Sequence, residues 1–274
     1  MSHGRSTNHN LKGSSQPSLP KGELEWAGAV DINCDMGEGI GNDEFIIPFI
    51  SSANIACGFH AGDEKTIRKT IDLALRHSVA VGAHVSFPDK ENFGRSEVNL
   101  PAEMVYKLVN QQLNIMREIA GSFGIKIRHI KPHGALYNMS AKDVMLAKTI
   151  AQAVKDFDDN LVLFGLSGSH SVSEAKALGL KTANEVFADR TYQDDGNLTP
   201  RSQPNALIED ADKAIQQVLE IITRKAVTTV SGKQFPITAE TICIHGDGKH
   251  AVEFAKCISE ALKREGIGIR PVFL

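Results

Sequence analysis

The stretch SANIACGFHAGD, residues 52–63, joins a short apolar run to the start of a helical pattern. SANIA has the length and composition of a buried strand, and Asp63 is a good N-cap for the amphipathic segment that follows. Between the two stand Gly58, His60 and Gly62, where the carboxyl end of a parallel strand would lie. The stretch therefore predicts a βα unit whose connection is either an ordinary polar turn or one edge of an active site.

The same unit recurs along the chain from residue 29. Segments with helical apolar spacing, among them 67–75, 105–119 and 144–154, alternate with short apolar runs, as in a parallel sheet with helical crossovers. Residues 224–240 predict an insertion or small hairpin before the last strand. The further candidate strands are AVDIN (29–33), VAVGA (79–83), KIRHI (126–130), LVLFGL (161–166), KTANE (181–185) and TICIH (241–245).

Seven βα units can close into a TIM-barrel-like barrel or remain an open, doubly wound sheet, and periodicity does not separate the two. We favour the α/β class with a seven-stranded βα barrel, because nearly every strand ends in polar residues and a closed barrel brings all these ends together. Residues 29–274 are expected to form this single domain. Residues 1–28, rich in Ser, Asn, Gly and Pro, are predicted to be a disordered N-terminal tail.

Composition excludes several classes of partner. The formal net charge of -3, without any run of basic residues, predicts no nucleic-acid partner and no binding to an anionic membrane surface. No apolar stretch reaches the roughly 18 residues of a membrane span. The four cysteines lack CxxC spacing and are interpreted as reduced thiols, which favours the cytoplasm. The remaining possibilities are chemistry on a small molecule and binding to a protein partner.

Candidate functional residues lie at or just after the ends of the predicted strands. Because side chains two apart on a strand share a face, Asp31 and Asp35 should look across the barrel at Lys131. Opposed carboxylates and cations in a confined mouth perturb pKa values and prepare a general base or a phosphate clamp. The candidates are Asp31, Asn33, Asp35, Glu38, Asn54, His60, His84, Lys131, His133, Asn138, Glu185, Arg190, His245 and Asp247.

Structural explanations compete with the functional ones. Asp63 is better explained as a helix cap than as a catalyst, and His129, inside a strand, as a packed histidine. His77 and His170 stand beside helix ends, where a histidine is common. Four histidines at four strand ends are harder to explain by packing, and they are assigned to the site: His60, His84, His133 and His245.

Several familiar motifs are absent from the sequence. There is no GxxxxGK[ST] phosphate loop, no GxSxG nucleophile elbow and no HExxH helix. The glycines of MGEGIG (36–41) could let backbone N–H groups face an anion, but they match no dinucleotide fingerprint. Serine hydrolases and HExxH zinc proteases are therefore excluded.

Six motifs in order carry a resemblance to a known family: DINCDMGEG, SANIACGFHAGD, GAHVSFPD with FGR, IKPHGALYN, EVFADRTY and ICIHGD. Over residues 29 to 265 the chain resembles the LamB/YcsF family, which provides the A subunit of the bacterial-type ATP-dependent 5-oxoprolinase. The resemblance implies a barrel similar to the glycoside hydrolase/deacetylase superfamily. It also implies that the chain opens the lactam of 5-oxoproline to L-glutamate with hydrolysis of ATP, in a complex with subunits B and C.

The resemblance also implies roles for the candidate residues. One carboxylate of the first motif would position water or substrate, and Lys131 would hold a phosphate or oxyanion, with Arg190 second. ATP is the expected cofactor, at a site that could require the partner subunits; a divalent metal ion is the other candidate, and no residue is assigned as its ligand. The expected catalytic residues are Asp31, Asn33, Asp35, His60, His84, Lys131 and His133. The expected substrate-binding residues are Glu38, Asn54, Arg95, Asn138, Glu185, Arg190, His245 and Asp247.

Two other functions stay open. The first is a metal-dependent amide or acetyl hydrolase acting on carbohydrate or lactam substrates, in which Asp31 or Asp35 would join His60 and His84 around an ion. The second is a non-catalytic scaffold or sugar-binding barrel, against which the density of ionisable groups argues.

Overall fold

The computed structural model of the chain describes residues 28–248 and 250–272. The predicted tail, residues 1–28, lies outside the described residues apart from Gly28, so its disorder and the division into a tail and one domain stay predictions. The strands are β1 (Ala29–Met36), β2 (Ser52–Ala56), β3 (Ala80–Val85), β4 (His129–Pro132), β5 (Val162–Leu166), β6 (Lys181–Phe187), β7 (Ala226–Thr228), β8 (Gln234–Pro236), β9 (Thr241–Ile244) and β10 (Gly268–Ile269).

Helices follow most of these strands. They are α1 (Asp43–Ile46), continued by a 3-10 turn (Ile47–Phe49), then α2 (Glu64–Arg76), α3 (Ala102–Ser122), α4 (Gly134–Lys142), α5 (Val144–Phe157), α6 (His170–Ala177), α7 (Ala211–Arg224) and α8 (Ala251–Arg264). None of the helices within the described ranges is long and apolar enough to cross a lipid bilayer.

Seven parallel strands close into a barrel in the order β1-β2-β3-β4-β5-β6-β9. Closure occurs between β1 and β9, where Asp31 pairs with Thr241 and Cys34 with Ile244. The short β10 adds to β1 outside this ring, pairing Gly268 with Ala29. The predicted barrel is confirmed, and the open sheet is excluded by the pairing of the first strand with the last.

The helix starts follow the side chains that the sequence offers. Asp63 accepts a hydrogen bond from the Thr66 backbone N–H at 2.8 Å and so caps α2, as predicted. Asp143 and Asp210 cap α5 and α7 in the same way. On α2 the predicted apolar stripe packs inward at Ile71, whereas Leu75 is 38% exposed.

Several elements differ from the sequence prediction. β3 and β6 each end two residues later than predicted, at Val85 and Phe187. β1 continues to Met36, because residues 33–36 pair with 52–55 of β2, so Asp35 lies on the strand itself. β4 begins only at His129, and residues 134–142 form α4, a helix that the apolar spacing did not indicate. The predicted hairpin before the last strand is confirmed by the antiparallel pairing of β7 with β8.

Candidate active site

The carboxyl ends of the seven barrel strands surround a small cavity at the mouth of the barrel. Its floor is polar and its sides carry aromatic and cationic side chains. Eight of the residues predicted for the site line this one cavity, and SANIACGFHAGD reaches its edge through His60, whose ring stacks on His133. The main lining residues are Asp35, His84, Arg95, Lys131, His133, Tyr137, Asn138, Phe187, Arg190, Leu198, Arg201 and His245.

Lys131, on β4, is the central cation of this floor. Its Nζ lies 2.9 Å from Asp35 Oδ1 and 2.8 Å from Glu185 Oε1, so strands on opposite sides of the barrel meet on one ammonium group. It also lies 3.1 Å from Cys243 Sγ. Burial acts to lower the pKa of Lys131, but the surrounding negative groups, led by Asp35, hold that pKa well above its usual range. The ammonium is thus a permanent charge.

Asp35 is the ionised carboxylate of the floor. Burial acts to raise the pKa of Asp35, but the neighbouring His84 and Lys131 lower it well below its usual range. Asn54 Nδ2 donates to Asp35 Oδ1 at 2.9 Å, and Oδ2 lies 3.3 Å from His84 Nε2. Its two oxygens are therefore fixed in direction, which suits a group that must accept a proton in one orientation.

An amide layer lies beneath Asp35. Asn33 Nδ2 donates to Glu185 Oε1 at 2.9 Å, while Asn33 Oδ1 accepts from Asn54 Nδ2 at 2.7 Å. Asn54 Oδ1 in turn lies 2.8 Å from His129 Nε2, and the His129 ring stacks on Phe164. Asn33 and Asn54 are both fully buried, so they position the charged groups above them. His129 is a packed histidine, as its place inside a strand predicted.

Asp31 lies deeper still. It stands four residues before Asp35 on the same face, which places it about 13 Å further down the strand. Its carboxylate accepts hydrogen bonds at 2.6 to 2.7 Å from the hydroxyls of Ser51 and Ser52, at the start of β2, and of Thr241, on β9. Burial, partly offset by these hydroxyls, raises the pKa of Asp31 to about 6. The structure does not bring Asp31 to the mouth with the other predicted catalytic residues.

Three histidines and one glutamate form a second cluster beside Asp35. Glu38 Oε1 lies 3.1 Å from His60 Nε2, 3.6 Å from His133 Nδ1 and 3.9 Å from His84 Nε2. The rings of His60 and His133 stack with centroids 3.9 Å apart, and His84 packs edge-on against both. All four residues are buried.

Burial controls the protonation of this cluster. Together with the negative charge of Asp35, it raises the pKa of Glu38 well above its usual range. Burial, assisted by the neighbouring imidazole of His84, lowers the pKa of His60 to about 3 and that of His133 well below its usual range. His60 and His133 are therefore neutral at physiological pH.

Two groups of side chains offer the donor atoms of a metal site. One ligand atom from each of Glu38, His60, His84 and His133 lies within 4.8 Å of all the others. Asp35, Cys243 and His245 form a second, three-membered group by the same measure. The main interpretation of the sequence assigned no metal ligand, whereas the metal-dependent alternative placed Asp31 or Asp35 with His60 and His84. His60 and His84 belong to the first group and Asp35 to the second, and Asp31 belongs to neither.

The rim of the mouth is held by ion pairs between loops. Arg95, after β3, donates from Nη2 to Asp247 Oδ2 at 2.6 Å, which joins the loops after β3 and β9. His245 Nδ1 lies 2.9 Å from Asp189 Oδ1, and the imidazole stacks on Phe187. Burial acts to raise the pKa of Asp189, but His245 holds that pKa below its usual value.

The remaining predicted residues differ in their surroundings. Arg190 lines the mouth, but its guanidinium donates to the carbonyls of Thr199 at 2.6 Å and Ala206 at 3.2 Å. It therefore fixes the loop 188–207 rather than pointing a free fork at the cavity. Burial lowers the pKa of Arg190 to about 10. Asn138 is exposed on α4 at the edge of the cavity.

Three contributors were not predicted from the sequence. The Ser86 hydroxyl lies 2.8 Å from His60 Nδ1, and Tyr137 and Arg201 line the cavity. Burial and the Glu185 carboxylate raise the pKa of Tyr137 well above its usual range, so its hydroxyl stays protonated. Ser86 and Tyr137 fall within GAHVSFPD and IKPHGALYN, and that position was the available signal; Arg201 lies outside all six motifs.

Comparison with known proteins gives a consistent result. The sequence model of the LamB/YcsF family matches residues 30–273. The chain is 51% identical over 247 residues to the 5-oxoprolinase A subunit of Bordetella pertussis, covering 88% of this chain and 98% of that protein. It is 50% identical over 246 residues to the 5-oxoprolinase A subunit of Staphylococcus aureus, with the same coverage of each. The crystal structure of the lactam utilization protein from Thermus thermophilus superimposes with a TM-score of 0.83 at 40% identity, covering 88% of this chain and 99% of that one.

Proposed function

The chain belongs to the LamB/YcsF family, and we propose on that ground that it is a lactam hydrolase that opens the ring of 5-oxoproline to give L-glutamate. Relatives that are 50 to 51% identical in sequence, and that match over nearly their whole length, are named as the A subunit of 5-oxoprolinase. The observation that carries the proposal is the Lys131 ammonium held between Asp35 and Glu185 at the floor of the mouth. That arrangement supplies a fixed positive charge beside an ionised carboxylate.

The geometry suits attack of water on a lactam carbonyl. An unstrained five-membered lactam is a stable amide. Its hydrolysis therefore requires stabilisation of the developing oxyanion and activation of the attacking water. Lys131 would stabilise the carbonyl oxygen as it gains negative charge. Asp35, 2.9 Å away, would accept a proton from the attacking water.

The same carboxyl can complete the reaction. When the C–N bond breaks, the proton held by Asp35 would pass to the ring nitrogen, which leaves as the α-amino group of glutamate. The hydroxyl of water ends on carbon and its proton on nitrogen, so the step balances. Asn33 and Asn54 would act by holding Asp35, Lys131 and Glu185 in register.

ATP and partner subunits belong to the proposal as well. Transfer of the γ-phosphoryl group of ATP to the lactam oxygen would release ADP and make the ring carbon electrophilic. Lys131 would then hold the phosphate oxygen, and hydrolysis with cleavage of the C–N bond would release inorganic phosphate together with glutamate. Because the chain has no Walker phosphate loop, we assign the ATP-dependent step to a complex with subunits B and C. We place this complex in the cytoplasm, since Cys34, Cys57 and Cys243 are buried free thiols.

One observation favours a second candidate. The cluster of Glu38 with three histidines offers the nitrogen-rich donors of a hydrolytic metal centre. A metal-dependent amide hydrolase acting without ATP is therefore the alternative reaction for the same mouth.

The test is release of glutamate from 5-oxoproline by the purified chain, with and without ATP, alone and mixed with folded subunits B and C. We expect glutamate only when ATP and both partners are present. Glutamate from the chain alone without ATP would support the metal-dependent hydrolase. No glutamate in any mixture would overturn lactam hydrolysis of 5-oxoproline.

A further inference from the structure

A buried hydroxyl group at the barrel mouth has no partner within the described part of the chain. Five buried side chains there each hold one polar atom without a hydrogen bond, and the Tyr137 hydroxyl is one of these atoms. Of the five residues, only Tyr137 lines the cavity at the mouth, and it is 5% exposed. An unpaired buried hydroxyl costs free energy. At the wall of a cavity, such a group is available to a ligand.

The Tyr137 ring is held in place by its surroundings. α4 begins at Gly134, whose φ of 55° suits glycine and whose position excludes a side chain, since a Cβ would lie 2.4 Å from the Gly94 carbonyl oxygen. Three residues later, the Tyr137 ring packs edge-on against Phe187 of β6, with centroids 5.7 Å apart. Because the phenolic oxygen lies in the plane of this packed ring, its direction is fixed.

Lys131 lies beside the same ring. Its Nζ is 5.9 Å from the centre of the Tyr137 ring, and both residues line the cavity. The ammonium is already engaged by the carboxylates of Asp35 and Glu185. A ligand that contacts this ammonium from the cavity is therefore next to the phenol as well.

The phenol acts as a hydrogen-bond donor. Burial and the Glu185 carboxylate raise the pKa of Tyr137 well above its usual range, so the hydroxyl keeps its proton. Glu185 Oε2 is another of the five unpaired atoms, so the two do not bond to each other. The one hydrogen of the hydroxyl is thus left for an acceptor that enters the cavity.

We propose that Tyr137 is a catalytic residue whose hydroxyl donates a hydrogen bond to the lactam oxygen held at Lys131. The inference rests on the proposed lactam hydrolysis and adds a neutral donor to the ammonium assigned there. The lactam oxygen gains negative charge when water attacks the ring carbon, and a fixed donor stabilises that charge more than it stabilises the ground state. The phenol keeps its proton throughout, so the balance of the reaction is unchanged.

The first test is Tyr137→Phe in the full complex with ATP, measured as glutamate release from 5-oxoproline. Phenylalanine keeps the ring and removes only the hydroxyl. We expect kcat to fall by about 100-fold, as for other lost oxyanion donors, and KM to rise by no more than about 5-fold. Tyr106→Phe is the matched control. The Tyr106 hydroxyl donates to Asp156 at the outer surface of α3, so its loss should change neither quantity.

Unfolding of the full chain in urea tests whether the hydroxyl serves the fold instead. Since it has no partner, Tyr137→Phe should leave the urea midpoint unchanged or raise it. Tyr192→Phe provides the contrast, because the buried Tyr192 hydroxyl accepts a hydrogen bond from the Phe187 backbone N–H at 2.8 Å. Removal of that hydroxyl leaves the N–H unpaired and should lower the midpoint.

A sulfur analogue tests the contact itself. In the thiolactam analogue of 5-oxoproline, the acceptor oxygen is replaced by sulfur, which accepts hydrogen bonds weakly. Calorimetry on the full complex without ATP should show that Tyr137→Phe weakens binding of 5-oxoproline by about 5-fold. The same substitution should weaken binding of the thiolactam by less than about twofold.

Three results would overturn the inference while glutamate release by the wild-type complex keeps the proposed function. They are a kcat of Tyr137→Phe within about threefold of wild type, a urea midpoint that falls as far as that of Tyr192→Phe, and equal weakening of binding for the two ligands. The second result would assign the hydroxyl to the fold. A wild-type complex that forms no glutamate would overturn the proposed function and this inference together.

Discussion

Lys131 Nζ lies 2.9 Å from Asp35 Oδ1 across the interior of the barrel, so that the fourth strand supplies the counter-charge to the first. Both groups are buried, with Lys131 2% and Asp35 6% exposed, so solvent screens neither charge. Removal of either partner leaves an uncompensated charge in a region of low dielectric constant. The pair therefore couples the stability of the barrel to the chemistry of its mouth.

Lys131→Met should remove both the positive charge that stabilises the oxyanion and the charge that compensates the buried carboxylates. We expect kcat/KM for glutamate release in the full complex to fall by about 100-fold or more, because the oxyanion loses its positive partner. The free energy of unfolding in urea should fall by about 3 to 5 kcal/mol. Lys126→Met, at an exposed position outside the mouth, should change neither quantity. Retention of kcat/KM within about threefold would remove Lys131 from the mechanism.

Asp35→Asn should separate proton transfer from substrate binding. Asparagine keeps the size of the side chain but cannot accept and return a proton, so kcat should fall by about 100-fold to 10,000-fold. KM should change little, because the lost interaction belongs to the transition state. Asp72→Asn, on the exposed face of α2, is the matched control. A rise in KM with unchanged kcat would make Asp35 a binding residue instead.

Asp31 should control stability as a function of pH. Its folded pKa of about 6 lies above the ordinary carboxyl value of 3.8, so the unfolded chain releases this proton more easily. Protonated Asp31 therefore stabilises the folded chain. Its contribution to the free energy of unfolding is fully present below the unfolded pKa of 3.8 and is lost as pH rises through the folded pKa of about 6.

Asp31→Asn removes that dependence. The free energy of unfolding of the variant, minus that of the wild type, should rise by about 2 kcal/mol between about pH 4.5 and about pH 7. Urea unfolding at both values measures the difference, and groups common to the two proteins cancel. A difference that stays constant with pH would show that Asp31 titrates as it does in the unfolded chain.

Arg95 should contribute to binding of an anionic substrate. Arg95→Gln removes a charged donor at the rim, and we expect KM to rise by about 10-fold or more with a smaller change in kcat. Since the side chains of Arg95 and Asp247 are 38% and 19% exposed, their pair should add less than about 1 kcal/mol to stability. Asp247→Asn breaks the same pair but keeps the cation, so it should not raise KM. Equal increases in KM for both variants would instead assign the effect to the bridge between the loops.

The strongest predictions from the sequence came from the alternation of side chains along a strand. This alternation placed Asp31, Asn33 and Asp35 on one face and opposed that face to Lys131, and the structure confirms both statements. The end of β1 could not be predicted in the same way. The apolar run ends at Asn33, but pairing with β2 continues the strand to Met36, so that Asp35 reaches the mouth and Asp31 lies deep in the barrel.

The histidine cluster shows a second limit. Four strand-end histidines were recognised as a set, yet three of them join Glu38 while His245 faces Asp189. This division depends on which loop folds back over the mouth, and loop paths carry no periodic signal. Ser86 was missed for a related reason, because a supporting hydroxyl is identified only by the group that it contacts.

The pairing of β10 with β1 has a practical consequence for mounting the protein on a sensor surface. Ala29 and Gly268 lie side by side at the amino-terminal end of the barrel, opposite the mouth. A tether attached through the chain before Ala29 or after Ile269 would hold the molecule by its base. The mouth of the barrel would then point into solution, where immobilised protein could be titrated with candidate partner proteins in turn, without steric hindrance from the support.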